Sequence, residues 1–381
     1  MKTVASAILA AICSTATCLA TESATVSPSV TQLTGFSWDK VPLNIHFGKR
    51  TSDMTDAEIE FVAKQGDLIA LEKSHGASAH GSTEAGSADT ARRIKAKNPN
   101  AKVLFYLNSF INWGGYASYQ TYRDEWTLRT PTGEIVTGPG NTPRPDPSNA
   151  EFREWWSDVV AAAMRDGPLD GVFVDALPQS FSAAITEQVG PEKQQAVIAG
   201  LREMLAMTKR KIGPQRILLA NGTRGTNFRE ILDWEGIDGV MIEHFGVIGT
   251  TSPADIKADL DTMAIAATKG KFVSLKGWPE FTFIDREAMR MPYEEKLKLA
   301  RERITFPLAC YMVAAQPGSV FCYSWGYTHT DGMLESYPEL ERPLGPPTAD
   351  AKWDGRTATR EFAHAKVWVD IANKTARIDW R

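Results

Sequence analysis

Eight short apolar runs, separated by stretches of helical character, constrain this chain more than any other feature. They span residues 43–47, 68–72, 102–107, 171–175, 217–221, 239–243, 271–276 and 319–325. Each is brief, rich in Val, Ile, Leu and Phe, and mostly free of polar alternation. That composition suits strands covered on both faces in a parallel sheet. The intervening segments 56–64, 87–97, 151–164, 191–211, 252–268 and 292–313 read as helices. Thr55 ahead of Asp56-Ala57-Glu58, and Ser148-Asn149-Ala150-Glu151, look like helix starts with acidic first turns. The pattern predicts an α/β fold, a (β/α)8 TIM barrel over residues 35–348. An open doubly wound sheet is the competitor, but the chain offers no Gly-rich phosphate loop for it. Residues 357–371 and 376–380 flank Asn373-Lys374 and read as a small C-terminal β-hairpin, within 349–381, packed on the barrel.

The ends of the chain and its charge narrow the function class. Residues 1–20 read as a secretory signal: Lys2, an apolar run over 4–12, then Cys18-Leu19-Ala20 as a cleavage site. A Ser/Thr-rich leader over 21–34 follows, so the mature protein is expected outside the cytoplasm, secreted or periplasmic. No segment is long and apolar enough to span a membrane; 304–325 is broken by Pro307, Gln316, Pro317 and Gly318. The net charge of −4 has the wrong sign for attracting a phosphate backbone, so nucleic acid is not an expected partner. Of four cysteines, Cys13 and Cys18 leave with the signal, while Cys310 and Cys322 either pair or stay as two buried thiols.

In a barrel of this kind the C-terminal ends of the strands face the active site. Those ends carry His46, Glu72, Asn108, Asp175, Asn221, Glu243, Lys276 and Trp325. Two of them close matched runs, Leu169-Asp170-Gly171-Val172-Phe173-Val174-Asp175 and Ile237-Asp238-Gly239-Val240-Met241-Ile242-Glu243. A carboxylate after three apolar strand residues is costly unless something needs it. A matched pair on the fourth and sixth strands suits two acids working across a bound sugar. The competing explanation is a pair of structural ion pairs. Trp113, Trp278 and Trp325 sit where flat rings could stack on sugars, with Tyr106 and Tyr323 as weaker candidates. Lys276 could lie near Asp175 and lower its pKa, and Asn108 and Asn221 could donate to hydroxyls. His46 and Glu72 complete the expected substrate-binding set. Arg144, Asp146 and His244 could reach the cleft from loops. About 40 residues separate the third strand from the next helix, and connections of that length are usually functional.

The runs D-G-V-F-V-D and D-G-V-M-I-E resemble those of hypothetical glycosyl hydrolase family 15, a group of secreted (β/α)8 proteins. Pro145-Asp146-Pro147-Ser148-Asn149 ahead of Trp155-Trp156 is similar to the segment such proteins carry before the fourth strand. The tail from Arg360-Glu361-Phe362 to Val367-Trp368-Val369 resembles their closing hairpin, although Ala363-His364-Ala365 and Ile371-Ala372-Asn373 replace the usual turn residues. More distantly, the carboxylate placement is similar to endo-α-1,4-polygalactosaminidases and α-galactosidase-type barrels. The resemblance implies a glycosidase acting on a poly- or oligosaccharide without a cofactor, with Asp175 as nucleophile and Glu243 as general acid/base.

Other chemistries lack their residues. The six histidines show no metal-ligand spacing, and His75 and His80 fall in a Gly/Ser/Ala-rich stretch that reads as a solvated loop. There is no Gly-x-Ser-x-Gly elbow and no nucleotide-binding glycine motif. A non-catalytic carbohydrate-binding barrel and a polysaccharide lyase remain as alternatives, since a barrel does not dictate function.

Overall fold

The computed structural model describes residues 28–165 and 167–381. The signal over residues 1–20 lies outside the described residues, as do residues 21–27 of the leader. Residues Val30–Thr34 of that leader form one helical turn, capped by Ser29.

Eight parallel strands follow in the order β1-β2-β3-β4-β5-β6-β7-β8: Asn44–Phe47, Leu68–Leu71, Lys102–Asn108, Gly171–Asp175, Ile217–Asn221, Gly239–Ile242, Phe272–Gly277 and Val320–Tyr323. Leu43 bridges Phe321 in parallel, which returns β8 to β1 and closes the (β/α)8 TIM barrel. Helices Asp56–Gln65, Thr83–Lys97, Ala150–Arg165, Pro191–Ile212 and Pro253–Thr268 cover the outside. The helix read over 292–313 is two helices, Tyr293–Arg303 and Thr305–Ala314, with Pro307 in the first turn of the second. Proline fits there because a first-turn N–H has no partner within the helix.

The Asp-Gly pairs have a structural use at the bottom of the barrel. Asp170 accepts from the backbone N–H of Val103 at 2.8 Å and pairs with Lys95. Asp238 accepts from the N–H of Leu218 at 2.7 Å and pairs with Lys209. Asp67 does the same one strand pair earlier, accepting from Leu43 at 2.8 Å. Strands β2, β4 and β6 are thereby pinned to the odd strand before each. The glycine that follows permits close approach: a Cβ on Gly171 would lie 2.0 Å from the Ile217 carbonyl oxygen.

Two sequence expectations change. The tail is a four-stranded antiparallel sheet of β9 (Lys352–Asp354), β10 (Thr357–Glu361), β11 (Ala365–Asp370) and β12 (Thr375–Trp380), in the order β12-β11-β10-β9. The expected hairpin is its β11–β12 half. Residues 357–371 fold back on themselves because Phe362 N–H bonds the Ala365 carbonyl at 2.8 Å, a turn made without Gly or Pro. Arg360 of β10 fastens this sheet to the barrel, donating to the carbonyls of Met312, Val313 and Ala315. The second change is the stretch around His75 and His80. It is packed, with His75 buried on Thr90 and Gly76 so close to Gly86 that a Cβ would lie 2.7 Å from its Cα. Cys310 and Cys322 are separate buried thiols. Among the described residues no helix is long and apolar enough to cross a membrane.

Asp170→Ala removes a backbone acceptor and a half-shielded ion-pair partner together. It is expected to cost about 2–3 kcal/mol, read as a lower midpoint in denaturant. Asp170→Asn, which keeps the acceptor, is expected to lose less than half of that; equal losses would contradict the pinning.

Candidate active site

The strand register brings the polar strand ends to one level. Asn108 of β3 lies directly opposite Asp175 of β4, and Val174 opposite Ala220 sets Asn221 beside Asp175. Glu243 leaves the end of β6 one residue past Ile242. A single donor then joins the two acids. Asn221 Nδ2 gives one hydrogen to Asp175 Oδ1 at 2.8 Å and the other to Glu243 Oε2 at 2.9 Å. An amide nitrogen spreads its hydrogens at about 120°, so these two oxygens stand about 5 Å apart.

Asp175 is surrounded by donors. Tyr106 OH reaches Oδ2 at 2.5 Å, Asn108 Nδ2 at 3.3 Å, and the Ala176 N–H reaches Oδ1 at 2.7 Å. Ala176 is left-handed, with φ +69°, an unfavourable conformation for a residue with a Cβ and one that recurs at functional sites. Glu243 accepts from Tyr327 OH at 2.7 Å, with His244 Nε2 3.4 Å and Arg224 Nη2 4.0 Å from its oxygens. Both acids are partly accessible, and the Glu243 side chain is 13% exposed.

Burial raises the Asp175 pKa, and the neighbouring Glu243 charge raises it further, against the pull of Lys73 and Tyr106. Burial also opposes ionisation of Glu243, yet its carboxyl sits below the ordinary value because His244, Asn221, Tyr327 and His46 favour the charged form. His244 is itself held down to about 4, chiefly by burial, so it is a neutral ring at pH 7. At that pH the hydrogen bonds from Asn221 and Tyr327 do most of the stabilising. The acid pair thus holds one proton more readily than two isolated carboxyls would.

The remaining expected residues fall into three groups. His46 and Glu72 sit under the acids. His46 is fully buried with neither ring nitrogen hydrogen-bonded, its Nε2 3.6 Å from Glu72. Glu72 is brought down to about 2: burial would raise it, but Lys73 and His46 prevail. Lys73 bonds Glu72 at 2.8 Å and spans the rings of Tyr106 and Trp113 at 5.3 and 5.4 Å. Trp113 is half-buried on that same cation.

Lys276 and Trp278 stand behind Glu243. Lys276 is buried, bonds Ser324 and Gly326, and lies 4.4 Å from the Trp278 ring and 4.9 Å from Tyr327. Its pKa is lowered, first by burial. The cation acting on Asp175 is Lys73, not Lys276 as the strand ends suggested. Trp278 donates from Nε1 to the Glu243 carbonyl at 2.8 Å, fixing the backbone that carries the acid. Trp325 does not join the site. It is wholly buried, packed on Phe281 and Tyr293, with its ring against Gly332.

Arg144 and Asp146 are also taken up elsewhere. Arg144 donates to Phe110 O and Gln179, and Asp146 pairs with Lys193. Most aromatics of the long loop pack on each other around Trp155. Lys73, Arg224 and Tyr327 went unread. Lys73 directly follows a strand-end acid and Tyr327 follows Trp325-Gly326, but neither belongs to a repeated pattern.

Against known families, residues 95–366 match the model described as hypothetical glycosyl hydrolase family 15. The chain belongs to that family. No curated protein matches it significantly. Among solved structures, an α-amylase from Geobacillus thermoleovorans with acarbose is 12% identical, with 87% of this chain and 86% of that one covered and a TM-score of 0.50. The glycoside hydrolase domain of PelA from Pseudomonas aeruginosa is 14% identical over 79% of this chain and 96% of that one, TM-score 0.49. Ega3 from Aspergillus fumigatus, complexed with galactosamine, is 10% identical over 80% and 94%, TM-score 0.46. The α-amylase likeness speaks to the barrel fold alone.

Two predictions follow from the electrostatics. Tyr327→Phe removes a donor from charged Glu243, so that carboxyl is expected to titrate at higher pH, read by carbon NMR of labelled Glu; no upward move would contradict the bond's role. Behind Arg224, buried Asp259 accepts from Gly225 N–H, leaves Oδ2 unpaired, and is pushed up to about 7 by burial. Its folded pKa is above the unfolded value, so its contribution is full below about 4 and is lost as pH rises through 7. Asp259→Asn is therefore expected to gain melting temperature over the parent between pH 5 and 8, and a constant difference would refute this.

Proposed function

We propose that this protein is a secreted glycosidase that cleaves a poly- or oligosaccharide with retention, using Asp175 as nucleophile and Glu243 as general acid/base. The supporting observation is the Asn221 amide bonded to one oxygen of each carboxyl; amide geometry sets those two oxygens about 5 Å apart, near the spacing of retaining rather than inverting enzymes. In the first step Glu243 gives its proton to the glycosidic oxygen as that bond breaks. Asp175 Oδ attacks the anomeric carbon and forms a glycosyl ester. In the second step Glu243 takes a proton from water, whose oxygen displaces Asp175 and releases the sugar. Tyr106, Asn108 and the Ala176 N–H hold the Asp175 carboxylate in one orientation for attack and stabilise it as leaving group. His46, Glu72 and Trp113 shape the floor and wall beside the sugar. Secretion is supported by the signal-like residues 1–20.

One observation favours a reversed assignment. The Asp175 carboxyl is pushed up and the Glu243 carboxyl is pulled down, directions that suit Asp175 as the proton carrier. Glu243 would then attack and Asp175 would be the acid. Four donors around Asp175 favour the first assignment, because donors favour a charged carboxylate.

A polysaccharide panel, read by new reducing ends, tests the hydrolase reading with wild type, Asp175→Asn and Glu243→Gln. Both variants are expected to fold and to lose about 10³-fold or more in turnover. Unimpaired cleavage by either removes that residue from the chemistry. Binding without cleavage by wild type would favour a carbohydrate-binding barrel, and unsaturated product ends a lyase. Azide with an activated aryl glycoside separates the roles. An acid/base variant is rescued to a glycosyl azide of retained configuration, a nucleophile variant to the inverted one.

A further inference from the structure

Beside the acid pair, across the Trp278 ring, lies a cavity of about 400 Å³ that the proposed chemistry does not use. We propose that it is a distal subsite for one pyranose unit of the same glycan chain, so that the enzyme grips its substrate beyond the bond it cuts. This rests on the glycosidase reading above and adds a substrate class to it: chains long enough to reach past Trp278.

Position is the first argument. The cavity is walled by the loops that follow β6 and β7, on the face of the barrel where the strand ends carry the acids. Phe245 in its wall is two residues past Glu243. Trp278 is shared, with its indole N–H on the Glu243 carbonyl and its ring in the cavity wall. A chain that leaves the acids toward this side meets the cavity next.

The lining is the second. Phe306, half-buried, and the edges of the nearly buried Trp278 and Phe281 supply apolar wall, and Glu280, Arg303 and Lys374 offer charged hydrogen-bonding groups. Flat apolar rings with a few convergent polar groups suit a sugar, which has apolar ring faces and hydroxyls around its edge. The size also falls within the range of small-molecule sites, about 300–1,000 Å³. Glu280 and Arg303 lie 3.5 Å apart, so a hydroxyl beside the pair could donate to the carboxylate and accept from the guanidinium.

Two further features concentrate at this place. Glu280 at φ +67° and Lys374 at φ +51° are among the few non-glycine residues in the left-handed region, and both line the cavity. Local strain of that sort persists at ligand sites. Lys374 comes from the turn between β11 and β12 and donates to the Gly246 carbonyl at 3.2 Å, so the C-terminal sheet supplies part of the wall. Phe283 and Ile284, on the same loop as Glu280, are 44% and 58% exposed. The Phe283 ring lies 6.4 Å from Trp278 and 5.2 Å from Tyr327. It adds exposed apolar surface next to Trp278 and Tyr327.

The test measures binding, on Asp175→Asn protein that cannot turn over, with ladders of malto-, cello-, manno- and chito-oligosaccharides of two to eight units in a titration calorimeter. For the ladder that binds, affinity is expected to rise with length and then level off. Thr251→Trp, which fills the cavity, should remove about tenfold of that gain while leaving the shortest binding fragment unchanged. Lys374→Ala is the milder variant should the bulky one not fold, with the same direction expected. A length gain that survives both substitutions, or no length gain in any ladder, overturns the subsite. Equal weakening of the shortest fragment overturns it too, since the cavity would then only prop up Trp278. Wild-type cleavage with no length gain would sink this inference alone. A length gain in a wild type that cleaves nothing would sink the hydrolase reading alone.

Discussion

Two carboxylates facing each other with little water between them repel, and the fold has to supply what water would have supplied. Here a single side-chain amide does most of that work. Asn221 gives one hydrogen to each acid, so the separation of Asp175 and Glu243 is set by the shape of an amide group rather than by two independent side chains. Everything near them serves that spacing. Tyr106 and Asn108 hold the far oxygen of Asp175, Tyr327 holds the far oxygen of Glu243, and Trp278 ties down the backbone beneath Glu243. Both nearby lysines are kept one layer back, with Lys73 on Glu72 and Lys276 on Ser324, while Arg224 approaches Glu243 only to 4.0 Å. A lysine in direct contact with either acid would favour its charged form and so disfavour the proton that one of the two must carry.

The barrel sets these donors at one height. Parallel register carries Asn108, Asp175 and Asn221 around the rim in successive strands, and each pairing is anchored at the opposite end of the sheet. Asp67, Asp170 and Asp238 pin β2, β4 and β6 to the strands before them through backbone N–H groups. The Asp-Gly pair at the start of a strand and the acid at its end are thus one device. The first fixes where the strand begins, which decides the level at which the carboxylate emerges.

Much of this was legible in the chain. Eight apolar runs and the helices between them gave the barrel, because buried parallel strands leave an unbroken hydrophobic signature. The two Asp-Gly-x-x-x-acid runs pointed to Asp175 and Glu243, and strand-end counting reached Asn108, Asn221, His46 and Glu72. Side-chain direction was harder to read. Trp325 follows the same strand-end rule but turns into the core against Gly332, and Lys276 turns toward Ser324 rather than Asp175. Tyr327 and Lys73 lie just beyond strand ends, where loop geometry decides what they touch. The left-handed Ala176 carries no mark in sequence, since alanine is not a residue that announces such a bend. The turn at Ala363-His364, made without Gly or Pro, hid the break between β10 and β11 for the same reason.

The spacing set by Asn221 makes a stereochemical demand that can be read without knowing which acid attacks. Proton NMR of the first-formed product, taken before the sugar re-equilibrates in water, reports the configuration of the new anomeric centre. The account predicts the configuration of the substrate bond, produced through a covalent intermediate on one of two acids about 5 Å apart. An inverted first product would mean that a water molecule fits between the carboxyl groups during catalysis, and it would contradict the amide-bridged pair as the working geometry.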